Sequence, residues 1–511
     1  MKKRMVKLLA AALCLTLLTG CWQDDGTVPE GDLLPPALPE EEEPEPARAV
    51  LPERFALPYM PGQTLDPVTC ADGMQQVAAS LLYEGLFRLD GALEPEPCLC
   101  SGYTYDAENC RYRFVLREGV TFSDGTPLTP NDVRSTLERA RNSERYRSRL
   151  SGIASISAKE DDAVTITLTG PDTGFPALLD IPIVKAKTED DVVPVGTGPY
   201  VFADGEGGPM LEANPSWWRG GGQPVERIYL VEAADQDTLL YRFTSHDVQL
   251  ITADLTGAVP VSATGSVVCL DAGTTVMQYL GCNLARLDSQ KLRQALWAGI
   301  NREYVVSAFL SGHGSAAQFP VSPLSPLYPK ELETPFALDA FSRMLGESGF
   351  AAEEPLVLLV NAENSFKCSI AEYLASSLTE GGLPVEARSL PWEEYLAALA
   401  AGEFDLYYGE VRLTANWDLT ELLGAWQPLN YGGWNDERTG ELLAAYAAAE
   451  DRGAAMEALC AYLQEQAPIL PLCFKSTSVL VQSEVVEGLT PTAAEAFHNL
   501  TECVIHLEGE P

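Results

Sequence analysis

The stretch Tyr112–Val133, with the sequence YRFVLREGVTFSDGTPLTPNDV, decides how the rest of the chain is read. Tyr112, Phe114 and Leu116 share one face of an extended chain and arginines lie on the other, which predicts a half-buried strand. Asp124–Gly125 then predicts a turn. Because the stretch also carries hydroxyl and carboxylate side chains, a catalytic loop is the alternative to a purely structural connection.

The polar residues near the end of this stretch have roles in shaping the backbone. Thr129 stands where a helix N-cap belongs, Pro130 takes the first helical position, and Asp132 lies three residues after the cap. This is a capping box with Asp in place of the usual Glu, and it predicts a helix that runs to Arg141. No histidine lies nearby in the sequence, so we interpret the stretch as a turn between a strand and a helix.

The N-terminus has the pattern of an export signal, with a basic start followed by the apolar run Leu8–Leu18, which is too short to remain as a spanning helix. Leu18–Cys21, LTGC, resembles the lipobox of bacterial lipoproteins, which implies cleavage before Cys21 and acylation of its sulfur; an ordinary cleavage site is the alternative. We therefore predict a lipoprotein signal peptide at 1–20 and an extended acidic Pro/Glu-rich tether at 21–49. The protein would then be lipid-anchored at the extracytoplasmic face of the cell membrane.

The charge balance restricts the class of partner. The chain has 511 residues, with 34 Lys+Arg against 73 Asp+Glu and a formal net charge of -39. Such a surface repels phosphate backbones, so we predict no nucleic-acid binding. The length is sufficient for two or three domains with a large buried core.

The cysteines and histidines do not form a recognisable metal motif in the sequence. Twelve cysteines in an exported chain permit disulfides, but sequence cannot give their connectivity. Cys98, Cys100 and Cys110 form the only cluster and lack the paired C-x-x-C spacing of a zinc site, so we predict buried thiols or one disulfide. We predict no metal site and no cofactor, because each histidine is isolated from a second ligand at metal spacing: His246, His313, His498 and His506.

The opening stretch resembles the signature segment of a known family, the peptide and nickel binding class of extracytoplasmic solute-binding proteins that serve ABC transporters (family 5 solute-binding lipoproteins). Seven further segments resemble family counterparts in the same order, from about residue 55 to 490: LDP at 65–67, LLYEGLFRLD at 81–90, VGTGPYVF at 195–202, NPSWWRG at 214–220, YLGCN at 279–283, LRQALWAGINREYVV at 292–306 and PILPL at 468–472. In VGTGPYVF, Gly196 and Gly198 suit a turn at which backbone passes close to backbone.

The resemblance implies a two-lobed α/β periplasmic-binding-protein fold with a small extra domain inserted in the first lobe and a hinge of crossing strands. Strand patterns at 163–169 and 356–360 and helical patterns at 292–310 and 441–464 agree with this fold class. The expected boundaries are listed here: lobe I at 50–283, with the inserted subdomain at about 83–189; lobe II at 284–475; and a return to lobe I at 476–511.

The resemblance also implies a function. We expect a monomeric receptor, not an enzyme, that binds short peptides in the cleft between its lobes and delivers them to the permease subunits of an ABC transporter. Its contact with the membrane would be through the N-terminal lipid only. The alternatives are a peptide-sensing signalling lipoprotein and a receptor for another solute, such as a metal chelate.

The expected ligand anchor lies in TANWDLTELL, residues 414–423. The resemblance places Asp418 where the family's peptide binders hold the ligand's ammonium group, although Leu419 replaces the family's proline. The alternative is that Asp418 only caps the following helix. Arg412 is a candidate for binding a ligand carboxylate, or it neutralises Glu410 nearby.

Aromatic residues are frequent in the same part of the sequence. Cleft-lining aromatic rings give a large contact area at little entropic cost, so we expect some of them to stack on ligand. Packing in the core is the alternative for each. Trp417 is the first candidate because it adjoins Asp418, and the others are Trp392, Tyr431 and Trp434.

Overall fold

The opening stretch folds as the sequence predicts. Arg111–Leu116 is a strand whose residues Tyr112, Phe114 and Leu116 are buried. The helix Pro130–Ala140 follows, ending one residue before the predicted end. The Asp132 carboxylate accepts hydrogen bonds from the backbone N–H of the N-cap residue at 2.9 Å and from its hydroxyl at 2.5 Å. The predicted capping box is therefore confirmed.

The computed structural model of the chain describes residues 51–70, 73–205, 207–257 and 266–508. The predicted signal peptide, the tether and Cys21 lie outside these residues. Within them, no helix is both long and apolar enough to cross a membrane.

The first sheet, called here the N-terminal sheet, has four strands, of which the first two are parallel and the others antiparallel: Ala56–Tyr59, Arg227–Glu232, Gly208–Ala213 and Tyr200–Gly205. Helix Gly73–Ser80 packs beside it. Residues from the far end of the chain, including Val485, Phe497 and Ile505, complete its hydrophobic core. Helix Gln236–Thr244 packs in a small adjoining core.

A second, antiparallel sheet, called here the inserted sheet, has a core of its own formed by residues between Val68 and Ile183. Its strands in spatial order are Cys100–Asp106, Arg111–Leu116, Ala163–Leu168 and Ile153–Ser157. Helix Pro130–Ala140 and the 3-10 helix Phe175–Leu178 cover it, and a short ribbon of Phe87–Leu89 and Pro95–Pro97 adjoins it.

The third sheet, called here the large sheet, has seven strands: in order Leu250–Ala253, Ile469–Gln482, Val267–Cys282, Leu406–Arg412, Leu356–Asn361 and Val385–Leu390, with Gly314–Ala316 paired to Ile469–Gln482. The last three strands of this order are mutually parallel. The helices near it are Gln290–Ala298, Arg302–Tyr304, Leu338–Ser348, Ser365–Glu380, Trp392–Ala401, Thr420–Leu423, Glu437–Ala448 and Arg452–Gln466.

Two long antiparallel strands connect the core of the N-terminal sheet with the core of the large sheet. Val267–Cys282 has 16 residues and Ile469–Gln482 has 14. Val479 and Val481 belong to the core of the N-terminal sheet, whereas Leu470 and Phe474 belong to the core of the large sheet. A pair of strands that passes from one core to another is suited to act as a hinge.

Two predicted helices are each divided in the structure, so the sequence expectation was wrong in both places. The pattern at 292–310 becomes Gln290–Ala298 and Arg302–Tyr304, the latter continued by the π-helix Val305–Phe309. The pattern at 441–464 becomes Glu437–Ala448 and Arg452–Gln466. The physical reason is local capping. Asn301 accepts a hydrogen bond from the N–H of Tyr304 at 3.1 Å, and Asp451 accepts one from Ala454 at 3.0 Å.

The predicted close approach of backbone at Gly196 and Gly198 is confirmed. A Cβ on Gly196 would lie 2.1 Å from the carbonyl oxygen of Leu82, and a Cβ on Gly198 would lie 2.5 Å from that of Leu81. The N–H of Gly198 donates to the Leu82 oxygen at 2.9 Å. A side chain at either glycine would separate these two segments.

Candidate functional site

The parallel part of the large sheet places three loops at one edge. Leu356–Asn361, Val385–Leu390 and Leu406–Arg412 run in the same direction, so their carboxyl ends meet there. Ligands of open α/β sheets characteristically bind beyond these ends. Arg412 ends one strand, Trp392 follows another, and the loop after Arg412 leads to Asp418.

A segment of the inserted domain contacts this loop directly. The side-chain amide of Asn416 donates to the Asp172 carboxylate at 2.9 Å. The N–H of Thr173 donates to the Ala447 oxygen at 2.9 Å, and its hydroxyl donates to the Ala449 oxygen at 2.8 Å. Residues far apart in the chain therefore enclose one region between the inserted sheet and the large sheet.

Carboxylates outnumber cations among the described residues of this region. Burial raises the pKa of Asp172, an effect that Asp418 adds to and that Arg452 opposes. Burial likewise raises the pKa of Glu94, again opposed by Arg452. The Arg452 guanidinium also donates to the backbone carbonyl oxygen of Asn416 at 2.7 Å and to the Tyr446 hydroxyl. Arg452 thus acts on two carboxyl groups, Asp172 and Glu94, while Asp418 adds negative charge near Asp172, and a further cation would stabilise these carboxylates.

Asp418 itself is exposed and uses one carboxylate oxygen locally. Its Oδ1 accepts hydrogen bonds from the Thr420 N–H at 2.9 Å and the Thr420 hydroxyl at 2.5 Å, at the start of helix Thr420–Leu423. No described residue donates a hydrogen bond to Oδ2. Leu419 and not Asp418 is the N-cap residue of this helix, which has no side-chain cap hydrogen bond, so the expected N-cap role of Asp418 is wrong. Its Oδ1 instead fixes the turn before the helix, which leaves Oδ2 for a ligand.

Trp417 is fully buried in the core of the large sheet, where its ring meets Phe474 edge-on at 5.8 Å. Its φ is 56°, in the left-handed region that a bulky residue rarely adopts. The indole Nε1 has no hydrogen-bond partner among the described residues. Stacking of Trp417 on ligand stays a prediction, and the ring packs in the core in this structure.

Glu410 is neutralised by lysines and not by Arg412. Lys367 Nζ lies 3.2 Å from the Glu410 carboxylate and Lys475 Nζ lies 3.8 Å from it, while Gln278 donates to it at 3.0 Å. Burial opposes ionisation of Glu410, but the lysines outweigh it and lower the pKa of the carboxyl. The alternative role of Arg412 is therefore wrong. Arg412 is exposed, and its guanidinium forms no hydrogen bond or ion pair with a described residue, which leaves it available to a ligand.

The other predicted aromatic residues do not form one wall. Trp392 is exposed and stacks on Tyr395 at 5.8 Å. Tyr431 meets Tyr407 edge-on at 5.9 Å, and the Trp434 indole N–H donates to the Thr439 hydroxyl at 2.9 Å. Among described residues, neither Tyr431 nor Trp434 has a hydrogen bond or ring contact with Asp418 or Arg412, so their ligand roles stay predictions.

Comparison with known proteins decides the family. The family model described as bacterial extracellular solute-binding proteins, family 5 Middle, matches residues 94–428. The chain belongs to this family.

Individual relatives match over a similar extent. Protein XP55 of Streptomyces lividans is 29% identical over 368 residues, which are 65% of this chain and 65% of that protein. Glutathione-binding protein GsiB of Escherichia coli (strain K12) is 24% identical over 344 residues, 64% of this chain and 67% of the relative. The matches thus span about two thirds of these relatives.

The solved structures of other proteins agree with the family assignment at the level of fold. The periplasmic murein tripeptide binding protein MppA, in its unliganded open form, matches with a TM-score of 0.74 and 19% identity, over 89% of this chain and 98% of MppA. The fold of this family 5 member is therefore the two-lobed α/β fold that the sequence predicts.

Sequence reasoning missed three charged residues of the site in this family 5 protein. Asp172 lies 244 positions from Asn416, and Glu94 and Arg452 are farther apart still. Asp172, Glu94 and Arg452 each sit in a stretch without a motif, so no local signal indicates their role. The only sequence evidence for Arg452 is the capping Asp451 before it, which fixes where its helix begins.

The expectation that every histidine is isolated is wrong for His313. Its Nδ1 lies 2.9 Å from a carboxylate oxygen of Asp271, and the thiol of Cys269 is close to both. For the cysteine cluster, the alternative of buried thiols is confirmed for Cys98 and Cys100, whereas Cys110 is partly buried; all three are free.

Proposed function

We propose that the protein is a lipid-anchored extracytoplasmic receptor that binds short peptides between its two lobes and delivers them to an ABC permease. The observation that carries the peptide assignment is that the buried carboxyls Asp172 and Glu94 share Arg452 as a stabilising cation, while Asp418 adds negative charge near Asp172. A peptide ammonium supplies the missing positive charge through charge-assisted hydrogen bonds. Family membership supports solute binding, and GsiB is named as a binder of a peptide-like solute, glutathione.

The proposed architecture places the cleft where the inserted domain meets the large sheet. We retain lobe I at 50–283, with its insertion at about 83–189, lobe II at 284–475 and the return at 476–511. In this arrangement Asp172 comes from the first lobe and Asn416 and Arg452 from the second. The two lobes close on the ligand by a hinge movement, and no covalent step is involved.

The direct test is binding of a defined peptide set to the purified protein. A free-amine peptide at a hundredfold excess over Kd should raise the free energy of unfolding by about 2.7 kcal/mol. Its N-acetylated twin should raise it much less. If every peptide leaves the melting temperature unchanged, while mass spectrometry finds a metal chelate copurifying, the solute assignment is wrong and the receptor assignment stands.

Uptake separates a receptor for transport from a sensor. Cells that lack this protein should lose uptake of labelled peptide and regain it when the gene is restored. Unchanged uptake together with lost transcriptional response to peptide would support a signalling lipoprotein. Intact mass of the mature protein tests the anchor, since a mature chain without an acyl group on Cys21 contradicts it.

A further inference from the structure

A second group of chemically reactive side chains lies on the crossing strands. Cys269 and Asp271 are alternate residues of strand Val267–Cys282 and so share one face of the large sheet. His313 precedes strand Gly314–Ala316, which pairs with the neighbouring crossing strand. The thiol, one carboxylate oxygen and one imidazole nitrogen lie within 4.8 Å of one another.

The distances within the group show that little movement is needed to surround an ion. His313 Nδ1 is 2.9 Å from Asp271 Oδ2, and Cys269 Sγ is 3.7 Å from Asp271 Oδ1. Ser478, opposite Asp271 on the paired strand, donates to Asp271 Oδ1 at 2.6 Å. A hydrogen bond of this kind orients a ligating carboxylate from outside the coordination sphere. The backbone N–H of Ser476 donates to the backbone carbonyl oxygen of His313 at 3.3 Å, which holds the loop before Gly314 to strand Ile469–Gln482.

We propose that Cys269, Asp271 and His313 bind one Zn²⁺ ion at a site separate from the peptide site. Thiolate, imidazole and carboxylate are the three ligand types that zinc takes in proteins, and three protein ligands leave a fourth tetrahedral position for water. A thiolate ligand disfavours Mg²⁺ and Ca²⁺, which require oxygen donors. The strongly negative chain also attracts cations. None of the three residues takes part in the proposed peptide site, so the site does not depend on the identity of the solute.

The bound ion would tie a crossing strand to the loop at Ser311–His313. This loop turns through residues with φ of 50° and 85° before it reaches His313. Because the crossing strand connects the two lobes, the ion fixes a lobe II loop to the hinge.

The test is titration of chelator-treated, full-length protein with Zn²⁺ by calorimetry and with Co²⁺ by absorption. We expect one equivalent, with visible bands of tetrahedral Co²⁺ and a thiolate charge-transfer band. Cys269→Ser should abolish the charge-transfer band, and His313→Ala should weaken binding by at least about tenfold, since even residues outside the coordination sphere contribute that much. Ser478→Ala should have a smaller effect.

The matched controls are Cys110→Ser and His506→Ala, which remove a partly exposed thiol and a partly exposed imidazole elsewhere. Both should bind as the wild type does. Melting curves in chelator establish that each variant is folded. Absence of stoichiometric binding, or binding that survives both Cys269→Ser and His313→Ala, would overturn the proposal and leave the Asp271–His313 contact as an ordinary ion pair.

Discussion

At the scale of single residues, the proposed ligand contact of Asp418 can be separated from its local hydrogen bonds. Its Oδ1 accepts both hydrogen bonds from Thr420. Asp418→Asn keeps the size and the accepting oxygen but removes the charge. The variant should therefore keep its melting temperature while binding of a free-amine peptide weakens by about 2 to 5 kcal/mol, roughly thirty-fold to several-thousand-fold in Kd.

Calorimetry on a four-member cycle measures this coupling. N-acetylation of the peptide should weaken binding to the wild type and have little further effect on Asp418→Asn, because both changes remove the same contact. The control is Asp235→Asn, since Asp235 caps a helix, by accepting from the Thr238 N–H at 2.7 Å, and lies outside the site. Equal losses from acetylation in wild type and variant would mean that Asp418 only holds the turn at Thr420.

Gly196 gives a prediction about stability that does not involve ligand. Gly196→Ala places a methyl group 2.1 Å from the Leu82 oxygen, so backbone must move, at a cost of about 1 to 3 kcal/mol. Gly440→Ala is the control, because a Cβ there meets nothing within 4 Å in a helix, and it should stabilise by about 0.5 to 1 kcal/mol. Urea unfolding measures both; equal midpoints would contradict the predicted clash.

These residues also show what the sequence could reveal. The glycine spacing and the carboxylate before a helix are local signals, so Gly196 and Asp418 could be identified without coordinates. Asp172 and Arg452 are brought together only by packing of the inserted domain on the large sheet, and no pattern in either stretch records that contact. Trp417 adjoins Asp418 in the sequence, but its burial depends on Phe474, a distant residue, and so could not be predicted from the local stretch.

At the scale of elements, periodicity predicted where helices exist but not where they are divided. The sequence predicts one helix across residues 449–451, yet Asp451 begins a new helix by accepting from the Ala454 N–H. Asp451→Ala should therefore destabilise the protein by about 1 kcal/mol, and Asp451→Asn should cost almost nothing. Thermal unfolding distinguishes them. Equal losses for both would show that the charge near the helix start, and not the cap, is responsible.

At the scale of the whole molecule, we expect peptide binding to be coupled to protonation of Asp172. Burial raises the pKa of Asp172. At pH values between the usual pKa and the raised pKa, the folded protein therefore holds a proton that the unfolded chain has released. Its contribution to stability is therefore lost as pH rises through that interval. A peptide ammonium lowers the same pKa, so binding should release protons there and tighten with rising pH. Calorimetry in two buffers of different ionisation heat measures the release, and Asp172→Asn should reduce it. An unchanged release would assign the proton to another group, such as Glu94.

The contact between Asn416 and Asp172 should set the balance between open and closed lobes. Asn416→Ala leaves the partly buried Asp172 carboxylate without its 2.9 Å donor, which destabilises the closed state by about 1 to 3 kcal/mol. A ligand that binds only the closed state must then supply this energy, so peptide Kd should rise by roughly five-fold to 150-fold.

Small-angle scattering should show a larger ligand-free particle for Asn416→Ala than for the wild type, and the same compact particle at saturating peptide. Asn499→Ala, which removes hydrogen bonds to Thr490 and Gly488 far along the chain, is the control for loss of an asparagine. A ligand-free variant as compact as the wild type, with unchanged Kd, would show that this contact does not control closure.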